Sequence, residues 1–410
     1  MNIKIPIGSC LMAILLVFFL FFTFNLFGQE PTPEKIAAAA KRLEALYPKI
    51  PDNENAALVY EEAFKLMKDY KELGIDDEKI PCLCGGFEPS EDILPEAKTK
   101  TLRFLDINVD ARRKIREGLK LPKARYSLDF SKGIDVSLPP LVSILRMTRI
   151  LSMETMISEY NSNSEGVLSS FVNSIKFQSS LNNEPFVISY LTQLNCQWMI
   201  CDDLRWLICR GHLDNDDLSV ISKTIQQMDN YQAVKISFQS ERVFIEENTK
   251  EFLEVEFVSD EQKAQMLKFV DKYISIADQK ITQAVQASLA EAKEIKEKGD
   301  LIGNSLSCFP SVIIKSAQMT TEVRLLTTAL AIERYRLKNE KLPKELKELV
   351  PEFLESVPED PFDGKPVRYK PQEKGYWLYS VGRDLVDNGG TPPEPYGVRP
   401  GTDLTLVITR

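Results

Sequence analysis

The chain has 410 residues, 51 lysines and arginines against 60 aspartates and glutamates, a formal charge of −9 and a pI near 5.1. The cations are dispersed among acids, as on solvated helix faces, so there is no electrostatic footprint for nucleic acid and no such partner is expected. With one histidine, no Cys-x-x-Cys pair, no Walker loop and no dinucleotide fingerprint, it has little from which to build a zinc site or a phosphate cradle.

The run from Ile5 to Phe27 carries no charge and is long enough to cross a bilayer core. Residues 1–28 therefore read as a transmembrane anchor, with Lys4 on the cytoplasmic side and the body exported. A signal peptide cleaved near Gly28, leaving a secreted or periplasmic body, is the alternative. Cys10 follows Ile7-Gly-Ser9 but precedes the apolar run, so it is not a lipidation site.

Residues 29–319 read as an α-helical exported domain. Thr32-Pro33 opens a helix through Tyr47. Residues 55–70 carry Val59, Tyr60, Ala63, Phe64, Met67 and Tyr70 on one stripe. An irregular stretch from Asp76 to Pro95 precedes a helix over 101–119, and then an extended segment, 121–140, with Tyr126 and Phe130 as anchors. Helices over 141–160, 165–181 and 186–210 have short connections and should be neighbours. Asp214-Asn-Asp-Asp217 lacks the glycine and distal glutamate of an EF-hand, so it is read as an N-cap. A charged helix spans about 243–256, and Ser259-Asp-Glu-Gln262 is a capping box opening a helix to Lys298.

Catalytic chemistry has few candidates in this body. Asp202 and Asp203 lie in an apolar helical pattern where burial could raise a carboxyl pKa, but adjacent acids diverge on a helix, and Arg205 is placed to pair with Asp202. His212 sits in a Gly-His-Leu-Asp connection with nothing resembling a nucleophile elbow nearby. The cysteines beyond the apolar run read as buried free thiols.

The last segment, residues 320–410, has a different texture. A helix runs from Leu325 to Asn339, with Leu326, Leu330 and Leu337 on one side and Leu325, Ala329 and Ile332 on another, so it should be covered on both. Pro361, Gly364 and Pro366 make Asp360 to Pro366 a turn. Val367–Lys370 and Tyr376–Ser380 pattern as a hairpin, Gly382-Arg-Asp-Leu-Val-Asp-Asn-Gly-Gly390 is an acidic loop, and Leu404–Ile408 alternates like a strand.

This order of helix, Leu342-Pro343, Asp360-Pro-Phe-Asp-Gly-Lys-Pro366, Tyr379-Ser-Val-Gly382 and Asp/Gly loop resembles the C-terminal half of the major pseudopilin of type II secretion systems. That resemblance implies an α+β lobe whose acidic loop holds calcium, with Asp384 and Asp403 matching family acids. Asp387 is added as a third oxygen donor from the same loop. Leu385 stands where the family has glycine, and the prepilin-type N-terminus is absent, which argues against assembly into a pilus.

The expected molecule is mainly α: a multi-helix body with a small C-terminal lobe, an antiparallel three-stranded sheet packed on a helix, behind an N-terminal membrane helix through residues 5–27. Its expected role is non-catalytic, binding another envelope protein, with Ca²⁺ held at Asp384, Asp387 and Asp403. A hydrolase using carboxylates of the helical domain is the alternative.

Overall fold

The computed structural model describes residues 32–70, 95–252, 259–298, 306–391 and 403–409. The expected anchor at 5–27, most of the irregular stretch from 76, Cys82, Cys84 and Gly299 lie outside the described residues. Among those described, no helix is long and apolar enough to cross a membrane. The fold is mainly helical, with one three-stranded antiparallel sheet near the C-terminus.

Helix α1, Pro33–Leu46, starts as its sequence dictates, with the Thr32 hydroxyl accepting from the Lys35 amide at 3.4 Å. Helix α2, Ala56–Leu66, is capped by Asn55 and ends earlier than its apolar stripe suggests. The reason is Asn108, whose Oδ1 accepts the Lys68 amide at 2.9 Å and draws the chain out of helical geometry. Asn108 also divides the helix expected over 101–119 into α3, Pro95–Ile107, and α4, Val109–Gly118. Its Nδ2 donates to Phe104 O at 3.0 Å.

Three helices, α5 (Leu141–Tyr160), α6 (Ser164–Gln178) and α7 (Val187–Arg210), pack on one another as their short connections imply. Asp214 caps α8, Asn215–Ile225, accepting the amides of Asp216 and Asp217 at 2.8 and 2.9 Å. The acidic run there is a helix start, as read. Helix α9, Val234–Phe252, is followed by α10, Asp260–Ile276, which opens on the Ser259/Gln262 capping box. The single helix expected to reach Lys298 instead breaks at 277–280 and resumes as α11, Ile281–Lys298. The break has a packing cause, since α10 lies against α9 while α11 turns onto the last helix.

That last helix, α12, Cys308–Asn339, is 32 residues long and touches α7, α8 and α11 as well as the sheet. Leu325, Leu326, Ala329, Leu330 and Ile332 are all buried, the two-sided burial their spacing requires. Leu337 departs from the expectation at 40% exposure, lying one turn from the left-handed cap at Glu340. The helix runs unbroken through positions 319 and 320, so its residues serve both the body and the lobe.

Strands β1 (Arg368–Gln372), β2 (Gly375–Ser380) and β3 (Leu404–Thr409) pair in that order, with Tyr376 opposite Ile408 and Leu378 opposite Leu406. These four side chains point to one face and are buried. Each contributes roughly 2 kcal/mol of apolar burial. The Tyr376 hydroxyl reaches Glu333 Oε1 at 3.0 Å, fastening the sheet to α12. One apolar cluster runs from Ala39 in α1 to Ile408 in β3, so the lobe shares the core of the body.

Candidate functional site

The acidic loop was the sequence's metal candidate. Asp384 Oδ1 accepts the Val386 amide at 3.1 Å, and its Oδ2 faces Asn388 Nδ2 at 3.4 Å. Asp387 Oδ1 accepts the Gly389 amide at 2.9 Å, while its Oδ2 lies 3.6 Å from Arg368 Nε. Asp403, buried, accepts the amides of Asn388 at 3.2 Å and Gly390 at 2.6 Å. The loop thus gathers Asp384 and Asp403 around Asn388 and turns Asp387 toward Arg368. Among the described residues, no three histidine, cysteine, aspartate or glutamate side chains come together to hold a metal ion. The carboxylates present serve loop closure through backbone amides, and residues 392–402 of the same loop lie outside the described residues.

The helical carboxylates are also engaged. Asp203 is buried in α7 and accepts from the Ser152 hydroxyl of α5 at 2.6 Å. Asp202 points elsewhere and keeps 39% of its side-chain surface open. Crowding by neighbouring atoms still desolvates it, raising its pKa to about 6 against the pull of Arg205. Arg205 lies 3.5 Å from Asp202 but only 2.5 Å from Glu322 of α12, so it serves mainly to tie α7 to α12. The His212 ring meets Glu159 at 2.5 Å. Cys196 and Cys201 are buried free thiols, and burial pushes Cys196 up to about 12, far from a reactive thiolate.

Neither Asp202, Asp203 nor His212 lines the large cleft found elsewhere, a cavity of about 720 Å³ between the C-terminal end of α1, the start of α2, residues 119–125 and the α6–α7 connection. Its walls are built by backbone clamps. The Ala56 amide donates to Lys123 O at 2.8 Å, and the Asn55 side chain brackets Arg125, accepting its amide and donating to its carbonyl, each at 2.8 Å. Gly118 lets α4 press on α2, since a Cβ there would sit 2.5 Å from the Tyr60 ring. Arg125 itself is buried, donating from Nε and Nη2 to Tyr47 O at 3.1 and 3.0 Å. Its Nη2 also reaches Glu44 at 3.2 Å. The Tyr47 hydroxyl accepts the Tyr126 amide at 2.9 Å, and the Tyr126 hydroxyl meets Ser180 Oγ at 3.0 Å.

Four cations, Lys120, Lys123, Arg125 and Lys176, line this cleft beside Ser179, Ser180, Asn182 and Asn183, and among the described residues none that lines it is acidic. Lys123 is paired with Glu54 at 2.8 Å, whereas Lys120 and Lys176 are exposed and have no acid partner among the described residues. Leu46, Pro48, Ile50, Leu121 and Ile236 give the remaining wall an apolar character. Behind Tyr47 lies Glu184, 2% exposed, whose carboxyl burial pushes up to about 8. Tyr47, Ser189 and Arg125 pull the other way, but neither carboxylate oxygen has a hydrogen bond of ordinary geometry.

No family model, curated protein or solved structure matches this chain. The cleft is not legible along the chain because its cations come from two segments about fifty residues apart, Lys120–Arg125 and Lys176. Two signals were legible: Tyr126 and Phe130 are the buried anchors expected of the extended segment, and Asn55 sits where a cap belongs.

Proposed function

We propose that this is a cell-envelope protein, held in the membrane by residues 5–27, that acts by binding and runs no chemistry of its own. Residues 320–410 act as a stiffening lobe that shares α12 with the body. The single observation that supports this reading is the chemistry of the 720 Å³ cleft. Its wall offers cations, hydroxyls, amides and apolar groups, a lining suited to holding a ligand. The resemblance of the lobe to the pseudopilin C-terminal half supports an envelope location, with another envelope protein as partner. Calcium at the Asp384–Asp403 loop belongs to the reading as a stiffener of that loop.

Two measurements test it. Membrane fractionation with a carbonate wash should leave the full chain in the pellet; release would favour a cleaved, soluble form. Generic ester and glycoside substrates should not be turned over above buffer. Hydrolysis that Asp202→Asn abolishes would replace the binding role with the hydrolase alternative.

A further inference from the structure

We propose that the cleft between α1, α2 and the α6–α7 connection is a binding site for a small amphiphilic organic anion, one with an apolar body and a carboxylate, sulfonate or phosphate group. This deepens the binding role proposed above and rests on it.

Three observations point the same way. The volume, about 720 Å³, falls in the range of small-molecule sites and is bounded on several sides by separate elements. The charge of the lining is wholly positive in a chain whose formal charge is −9, so the local sign runs against the molecule's average. Two of the four cations, Lys123 and Arg125, are committed to Glu54 and to Glu44 with Tyr47 O; Lys120 and Lys176 hold uncommitted charge at the exposed edge. The apolar wall of Leu46, Pro48, Ile50 and Leu121 would receive the hydrocarbon part, and Ser179 and Asn183 offer polar contacts between it and the lysines. The clamps from Asn55 and Arg125 fix the floor before a ligand arrives, so little ordering cost falls on binding.

The probe is naphthalene-2-sulfonate, with uncharged naphthalene-2-sulfonamide as its partner. Both are titrated against the full chain in a neutral maltoside detergent by saturation-transfer NMR, with detergent alone subtracted. The sulfonate should bind saturably and at least about tenfold tighter than the sulfonamide. The double variant Lys120→Glu, Lys176→Glu should weaken the sulfonate about tenfold and leave the sulfonamide unchanged, whereas Lys132→Glu, outside the cleft, should change neither. Ala124→Trp, filling the cavity, should remove both. Equal binding of the two probes, indifference to the lysine reversals, or sulfonate binding that survives Ala124→Trp would each overturn the assignment. Turnover of a generic substrate, by contrast, would sink the non-catalytic role and leave this site standing.

Discussion

Arg368 Nη1 donates to Asp360 Oδ2 at 2.6 Å, and the carboxylate it meets is fully buried beneath the start of the C-terminal sheet. Asp360 completes its shell with the Phe362 amide at 2.9 Å, the Ser380 hydroxyl at 2.8 Å and the Val381 amide at 3.0 Å. One side chain thus joins the Pro361–Pro366 turn, β1 and the end of β2. Arg368 also binds Asp363 and faces Asp387, so a single guanidinium reaches three aspartates of the lobe.

Removing that cation strands a buried charge. Arg368→Ala should therefore cost about 3–5 kcal/mol, the range for breaking one half of a buried pair. Asp360→Asn keeps the shape but turns one acceptor oxygen into an NH2 facing N–H donors, so it should also destabilise, by about 1–3 kcal/mol. Urea melts of the two variants check the order; an Arg368→Ala melt superposable on wild type would contradict it.

Gly375 opens β2 with φ at +123°, and a Cβ built there would sit 1.9 Å from Ile408 O on β3. Gly375→Ala must force the β2–β3 ladder apart and should destabilise by about 3 kcal/mol or more. Gly364, with φ at +74° and only Thr282 Cγ2 at 3.4 Å from the added carbon, should cost about 1–2 kcal/mol on the same substitution. Thermal unfolding of both variants measures the contrast.

Two buried glutamates predict a pH dependence. Desolvation raises Glu184 to about 8 and Glu241 to about 7, both above the ordinary carboxyl value of 4.5. A group whose pKa is higher in the folded state binds its proton more tightly there, so its stabilisation is complete below about pH 4.5 and is lost as pH rises through the folded values. Stability should fall between about pH 5 and pH 8, by on the order of 3 kcal/mol for Glu184 alone. Glu184→Gln should flatten most of that slope. A variant as steep as wild type would show that the carboxyl titrates normally.

Calcium should act modestly if the acidic loop holds it. At tenfold excess over its dissociation constant the ion would stabilise by about 1.4 kcal/mol, and Asp384→Ala should abolish the increment. Melts with calcium and with chelator report it directly. Identical curves for wild type would leave Asp384, Asp387 and Asp403 as closures of the loop alone.

Much of the helical body was legible because 3.6-residue stripes and caps are local. Helix α5 begins and ends where its apolar pattern does, Asp214 caps α8, and Ser259 with Gln262 forms the expected box. The misreadings share a cause. The break at Asn108 depends on Lys68, forty residues upstream, and the break at 277–280 depends on α11 reaching α12. No window along the chain contains either partner.

By itself, the sequence determined the helical class, the order of turn, hairpin and strand at the C-terminus, the free buried thiols of Cys196 and Cys201, and the two-sided burial of α12. These follow from periodicity, proline and glycine, which act over a few residues. Only the tertiary structure decided that Arg368 gathers Asp360, Asp363 and Asp387, that Asp202 and Asp203 face different partners, and that Lys120 and Lys176 border one cleft. Those outcomes depend on side chains far apart in the chain being brought within a few ångströms, and charge acts at that distance, whichever order the residues were joined in.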